Sequence, residues 1–559
     1  MITDGRELAH DVTVDADVCI VGAGPAGISL ALELARRSRR TIALVETGGM
    51  EFSPAEQELA DGRVEGLDYF PVKETRIRMF GGSTASWGGI ISPLDPLDFE
   101  RRPWVPHSGW PFPHSELDPY LDRAFELFQI QDQRSTVEEL PEAERHHQPT
   151  PDTRWEPIYF SAPARFGKLY ADAVARSAQI HAYLHSTVTS IELDPSGGRV
   201  DHLRVATLAG NTYRIRAADY VLAGGGIENA RLLLVSRSVH ANGVGNRHDL
   251  VGRFFQEHPR AKVRYLLPDD IDGLPARITG AAGTLRFSRI SLAEATYRRE
   301  ELLAFMANLT FGYLAQDTPQ FEALRRIVNA SRAPWSDSPY YQDVGGGPNR
   351  LRWRDLWTVL KRPDRTLVSA LGAALQPARL RRWIQIDASV EQVPDPANRI
   401  TLLDEKDPLG LPLPKIIWSV SDAEERTYRR GLELTLEALE TYAPGLSARR
   451  VPGPDPWPEA IQGTWHHIGT TRMHVDPRHG VVDADARVHG VGNLYVAGSS
   501  VFPTGGVAAP TLTIVLLALR LAEHLAARPR PARIDLSEGR GTMDAQGSDE
   551  HLETRGSSG

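Results

Sequence analysis

The chain has 559 residues, 24% of them charged, and a formal net charge of −9 at pH 7. A nucleic-acid surface would be strongly basic, so this balance excludes that partner and favours a small molecule. The length exceeds what one growing core supplies, which predicts two domains or one elaborated domain with room for a deep pocket.

The first 17 residues include Asp4, Glu7, Asp11, Asp15 and Asp17 and no apolar core, so no secretory signal is expected and the cytoplasm is the expected location. Cys19, the only cysteine, lies inside an apolar run. That excludes a disulfide framework and a cysteine metal site, and no metal is expected. Asp17–Val21 reads as a strand that flows into Gly22-Ala23-Gly24-Pro25-Ala26-Gly27 and then into a helix from Ile28 to Ala35. In such a fingerprint Gly22 permits the tight turn, Gly24 lets backbone approach a pyrophosphate, and Gly27 lets helix and strand pack closely. The helix N-terminus favours the negative charge. A second strand, Thr41–Val45, ends at Glu46, 19 positions beyond Gly27, where an acid binds ribose hydroxyls.

The fingerprint alone does not separate FAD from a nicotinamide. Two further glycine clusters favour FAD. Arg78 to Gly89 is a small-residue loop around Trp87, as suits backbone lying close to a flat ring. Tyr220 to Arg231 again runs from strand to helix through Gly224, Gly225 and Gly226, after a strand pair around Leu184–Leu193 and Gly198–Thr207. One long, two-ended cofactor uses all these loops.

Between Arg325 and Arg382 the chain is rich in Arg, Trp, Pro and Gly, with a break at Gly345-Gly346-Gly347-Pro348, and is expected to form a lid or an oligomer contact, with a membrane-surface role as the less favoured alternative. Trp383–Ser389, Arg399–Leu403 and Lys415–Ser419 have β composition and are assigned to one antiparallel sheet. Glu391 and Gln392 read as a solvated strand end, with pocket lining as the alternative, and Asp422–Tyr442 reads as a helix. Trp465-His466-His467-Ile468-Gly469-Thr470 follows, and Ala508-Ala509-Pro510-Thr511 opens an apolar helix running to Leu525. Pro510 is expected at its first position. Its most apolar part, Leu512–Leu521, contains Arg520 and falls short of the ~20 residues that span a bilayer, so no membrane partner is expected. Residues 537–559 are expected to be a disordered tail.

With the Gly22 fingerprint, Gly81-Gly82-Ser83-Thr84, the Gly224 cluster, Gly492–Thr504 and the Trp465–Thr511 region in this order, the chain resembles the glucose-methanol-choline (GMC) oxidoreductases over most of residues 14–528. Val251–Pro259 and Pro510-Thr511-Leu512-Thr513-Ile514 look more like the pyranose oxidase and sugar dehydrogenase branch. The resemblance implies an α/β fold with a discontinuous Rossmann-like FAD-binding domain (14–95, 165–250 and 460–528). It adds an α+β substrate domain on an antiparallel sheet (96–164 and 251–459). It implies hydride transfer from an alcohol carbon to flavin N5, and it places the family histidine on His466, with His467 the adjacent candidate. Gly82, Ser83, Ser86, Trp87, Val188, Gly224, Gly498, Ser499, Ala509, Pro510 and Thr511 join Gly22, Gly24, Gly27 and Glu46 as expected cofactor contacts.

Two positions depart from the family pattern. Ser86 stands where covalent members carry a flavin-bonded histidine, so noncovalent FAD is expected. Ala509 stands where most members carry His or Asn, so the alcohol oxygen lacks one partner, a difference of about 0.5–1.5 kcal/mol.

Alcohol oxidation needs a base beside the oxygen and an electron sink facing the carbon, roles that His466 and FAD fill. Backbone N–H groups at the Pro510–Thr511 helix start favour negative charge on the flavin. The expected substrate is a small-molecule alcohol, carbohydrate-like, such as an aminoglycoside hydroxymethyl group, with the electron acceptor open. The alternatives are a simple pyranose or polyol dehydrogenase, a lyase that keeps FAD redox-silent, a nicotinamide-dependent dehydrogenase using the Gly22 fingerprint alone, and a noncatalytic flavin-binding protein.

Overall fold

Val18, Cys19 and Ile20 have no exposed surface, and the apolar run that carries them forms the middle of the first sheet. The computed structural model describes residues 1–132, 149–161, 164–267, 286–313, 318–332, 353–375, 381–453, 455–458 and 460–529. The expected break at Gly345–Pro348 and the tail at 537–559 lie outside them. Met1–Ala527 is one compact unit; of the second, Arg528–Gly559, only 528 and 529 are described.

In the first sheet Thr13–Val21 is flanked in parallel by Ile42–Val45 and Thr212–Leu222. Ile180–Leu184 and then Ile2–Asp4 extend it in parallel beyond Ile42–Val45. The first half of Thr212–Leu222 pairs antiparallel with Val200–Ala206, which in turn pairs with Thr187–Leu193; its last three residues pair in parallel with Leu494–Val496. Continuous apolar runs rather than alternation are what parallel strands covered on both faces require. Helix Pro25–Arg37 packs against helix Thr511–Ala527, which brings distant parts of the chain together.

The second sheet is antiparallel throughout, in the order Arg260–Leu266, Arg381–Val390, Phe305–Tyr313, Arg286–Leu292, Thr153–Phe160 and Ile90–Ile91. Helix Asp422–Glu440 packs on it, started by a reciprocal cap between Ser421 and Glu424.

Two expectations are corrected here. Arg399–Lys406 and Pro412–Trp418 do not join Arg381–Val390 but form a third sheet, in which Pro412–Trp418 pairs in parallel with Arg63–Gly66. Composition identifies a strand but not its neighbour, and Pro394 and Pro396, lacking N–H groups, lead the chain away from the second sheet. The last helix begins at Thr511, with the Pro510 carbonyl accepting its first bond from Ile514 N–H at 2.9 Å, so Pro510 is the cap rather than the first turn. The sheets also cross the expected domain bounds. Arg63–Gly66 and Ile90–Ile91, expected with the cofactor, pair with strands of the other region, and Ile2–Asp4 enters the first sheet.

Candidate functional site

Four loops leave the carboxyl ends of four neighbouring parallel strands, the edge of such a sheet at which ligands bind. They follow Ile42–Val45, Thr13–Val21, Thr212–Leu222 and Leu494–Val496, and begin at Glu46, Gly22, Ala223 and Ala497. Gly22 has φ +106, and a Cβ there would stand 2.6 Å from the Ala223 carbonyl oxygen. A Cβ on Gly27 would meet the Gly22 carbonyl, and one on Gly82 would stand 2.9 Å from the Gly24 Cα. The loops therefore touch through glycines. Gly24, Gly225 and Gly498, by contrast, would each carry a Cβ into open space.

The enclosed glycines hold the loops together, and the open ones leave bare backbone facing outward, as a cradle for a dinucleotide requires. Helices Pro25–Arg37 and Gly225–Val235 both start there, and the positive end of a helix favours an anion such as a pyrophosphate. These residues fit FAD.

The other expected contacts are placed around this edge. Glu46 is buried, its two oxygens accepting from Ala23 N–H at 2.8 Å and Gly48 N–H at 2.9 Å, and burial raises its pKa. Val188 is buried opposite Val205, two residues beyond Ser186, whose N–H donates to the Glu46 carbonyl at 2.9 Å. Ser83 is exposed in the turn Gly82–Ala85, Ser86 follows it, and the Trp87 indole donates to the Ala164 carbonyl at 3.1 Å. Gly224 N–H donates to Asn229 Oδ1 at 2.8 Å, and the Asn229 amide reaches the Ala497 carbonyl and Ser500 Oγ. Ser499 Oγ donates to the His467 carbonyl at 2.7 Å, joining this edge to the histidine segment. Ala509 and Thr511 are partly exposed beside the Pro510 cap.

The two adjacent histidines have different surroundings. His466 is partly exposed, with its Nδ1 2.9 Å from Nδ1 of His258 and the two rings edge to face. Among the described residues its Nε2 has no hydrogen-bond partner. His258 is buried with its Nε2 against the backbone at Gly505. His467 is buried and bonds Tyr69 through Nε2 at 3.0 Å. Burial, and then the neighbouring His258, holds His466 well below the ordinary histidine pKa. Burial brings His258 down to about 4 and His467 down to about 3. All three imidazoles are neutral at pH 7.

Glu257 organises this wall. Its Oε2 accepts from the backbone N–H of Thr464 at 2.9 Å, of His466 at 3.2 Å and of His258 at 3.2 Å, while Tyr69 hydroxyl donates to Oε1. The bonds on both sides of Trp465 clamp it at φ +62, a left-handed conformation that costs a tryptophan about 1–3 kcal/mol. Gln392 Oε1 accepts from Glu257 N–H at 2.8 Å and from the Trp418 indole at 3.0 Å. Glu391 is fully buried in a two-bond pair with Arg102, at 2.8 and 2.6 Å. Glu391 and Gln392 are thus buried supports and not a solvated strand end, because each finds internal partners that offset its desolvation.

His258, Glu257 and Tyr69 were not among the expected site residues. Glu257 and His258 stood in the sequence beside Pro259, but nothing local ties them to a segment some 200 residues away. Among the described residues no group of three or more His, Cys, Asp or Glu is placed to hold a metal ion.

Residues 17–327 match the family model for FAD dependent oxidoreductases, and residues 394–518 match that for GMC oxidoreductases. The chain belongs to the GMC family of FAD-dependent oxidoreductases and is an FAD-dependent alcohol oxidoreductase. It is 26% identical to 6'''-hydroxyparomomycin C oxidase of Streptomyces lividus, covering 91% of this chain and 92% of that one. Against the fructose dehydrogenase large subunit of Gluconobacter japonicus it is 24% identical over 65% of this chain, and spans 57% of that relative's length. A solved fungal aryl-alcohol oxidase shares the fold with a TM-score of 0.54 at 15% identity, over 93% of this chain and 99% of that one. Among the described residues no helix is long and apolar enough to cross a membrane.

Proposed function

We propose that the protein oxidises an alcohol group on a carbohydrate-like molecule, with His466 Nε2 taking the hydroxyl proton. The observation that carries this reading is the 2.9 Å contact between His466 Nδ1 and His258 Nδ1. Two neutral imidazoles in that contact have one proton between them. We assign it to His466 Nδ1, so His258 accepts and His466 Nε2 presents its lone pair. His258 is then a positioning residue that holds the tautomer and accepts the stronger bond formed when His466 becomes charged. Bound FAD supplies the hydride acceptor.

On this reading Gly22, Gly24, Gly27, Glu46, Gly82, Gly224 and Gly498 belong to a Rossmann-like cofactor region drawn from 14–95, 165–250 and 460–528, with Ile2–Asp4 added and without the strands Arg63–Gly66 and Ile90–Ile91, and 96–164 with 251–459 covers the substrate. Ser86 offers no imidazole to bond the flavin, so FAD is held noncovalently. The alanine at 509, where most family members carry His or Asn, has less bulk than either, which suits a bulky polycyclic sugar. The similarity to 6'''-hydroxyparomomycin C oxidase supports a glycosylated aminocyclitol with an oxidisable hydroxymethyl group, and the net charge of −9 suits a cationic substrate.

Anaerobic flavin reduction over sugars, polyols and aminoglycoside intermediates tests the substrate class; bleaching by simple hexoses alone would remove the aminocyclitol. His466→Ala should keep its FAD and lose about 10²–10⁴-fold in reduction rate. Unchanged reduction would move the base elsewhere.

A further inference from the structure

Helices Trp353–Lys361 and Pro363–Leu375 pack against helix Pro319–Arg332 and against each other. They leave large apolar side chains in solvent: Trp353 is 86% exposed, Trp357 66%, Leu360 70%, Leu367 60%, Val368 61% and Leu371 48%. These are not scattered. Positions 353, 357 and 360 share one face of the first helix, and 367, 368 and 371 share one face of the second. A protein that needed these helices only for its fold would turn those faces inward, and contiguous exposed apolar surface of this kind marks an interaction site.

The charge around the patch selects the partner. Arg354, Lys361 and Arg365 are exposed on the same two helices, while the exposed acid there, Asp364, is neutralised by Arg362 in the link between them, at 2.8 Å. The chain as a whole is acidic, at −9, so this cationic rim is a local reversal of sign. Two copies meeting face to face would set the same cations against each other, because a two-fold contact pairs a patch with itself. Tryptophan and aliphatic side chains with arginine and lysine beside them match the boundary between acyl chains and anionic headgroups.

We propose that these two helices dock the protein on an anionic phospholipid surface, with Trp353, Trp357, Leu360, Leu367, Val368 and Leu371 entering the headgroup boundary and Arg354, Lys361 and Arg365 pairing with lipid phosphates. This is peripheral binding, compatible with the absence of a spanning helix among the described residues. It does not depend on His466 or on the substrate.

Sedimentation of the FAD-loaded full chain with vesicles tests it. Vesicles of phosphatidylcholine with about a third phosphatidylglycerol should pellet the protein, pure phosphatidylcholine at least tenfold less, and added salt should release it. The double variant Trp353→Ser, Trp357→Ser and the double variant Lys361→Gln, Arg365→Gln should each weaken partitioning about tenfold or more with the rate of flavin reduction by alcohol in solution unchanged. Equal pelleting with and without phosphatidylglycerol, no pelleting with either, or unchanged partitioning of both variants overturns the proposal. So does a concentration-dependent dimer, seen by light scattering, that Trp353→Ser dissolves, since the face would then bind a second copy. Because the substituted side chains are exposed, the variants are expected to fold; retained flavin absorbance checks this.

Discussion

His466 and His467 are neighbours in the chain, yet His467 spends its Nε2 on Tyr69 whereas Nε2 of His466 has no hydrogen-bond partner among the described residues, because the two side chains enter different surroundings. His467 is taken up by Tyr69 and the Ser499 contact to its carbonyl. If His258 acts through the tautomer of His466, an acceptor at the Nδ1 position is what matters. His258→Asn places an amide oxygen there and should keep flavin reduction within about fivefold, while His258→Gln, reaching to the Nε2 position, should lose about 10–100-fold, a range below that for the base itself. Equal rates in the two variants would leave His258 as packing only, and nitrogen-15 spectra of histidine-labelled protein would show the same result as a changed His466 tautomer. The three lowered histidines also set a stability window. The unfolded chain takes up protons below about pH 6.5, whereas folded His258 and His467 wait until about 4 and about 3. Stability is therefore full above about 6.5 and is lost as pH falls from there. Calorimetric Tm should drop between about pH 7 and about pH 5, and His467→Gln should flatten that slope.

The glycine loops make opposite predictions for substitutions that look alike in sequence. Gly24→Val adds its side chain to open space without backbone strain, so the fold should survive while FAD content of the purified protein collapses. Gly22→Val forces φ +106 on a branched residue and drives its Cβ into Ala223, so soluble yield and Tm should fall as well. Equal loss of Tm in both would mean that Gly24 is structural. That contrast follows the logic legible in the sequence: strand, glycine turn and helix are local features, and Asp17–Val21, Gly22–Gly27 and Ile28–Ala35 could be read in one pass. What was not legible depended on contacts between remote segments. Arg399–Lys406 has the same β composition whichever sheet it joins, and Glu391 looks like a surface acid until Arg102, from a loop almost 300 residues earlier, covers it. The same holds for His258, whose partner comes from a different stretch of chain.

At the scale of the whole molecule, the cofactor edge is assembled from both halves of the chain, since Gly24 and Gly82 come from its first part and Gly498 from its last. If FAD is held only by these contacts, acid precipitation of the yellow protein should leave all flavin in the supernatant; flavin retained in the pellet would show a covalent bond elsewhere than Ser86. Deleting residues from Thr511 onward should yield protein with little or no FAD, because helix Thr511–Ala527, with Leu512, Val515, Leu516 and Leu519 buried, packs against helix Pro25–Arg37. The pairing of helix Thr511–Ala527 with helix Pro25–Arg37 also sets an order of events during synthesis. At about 5–20 residues per second the ribosome needs about 25–100 s after finishing the first helix to make its partner. For that interval the glycine turn exists without its cover, and its apolar flank must be shielded by chaperones or by transient collapse of the nascent chain. Capture of the cofactor is on this account one of the last acts of biogenesis, and a cell short of FAD would accumulate a finished chain rather than a stalled one.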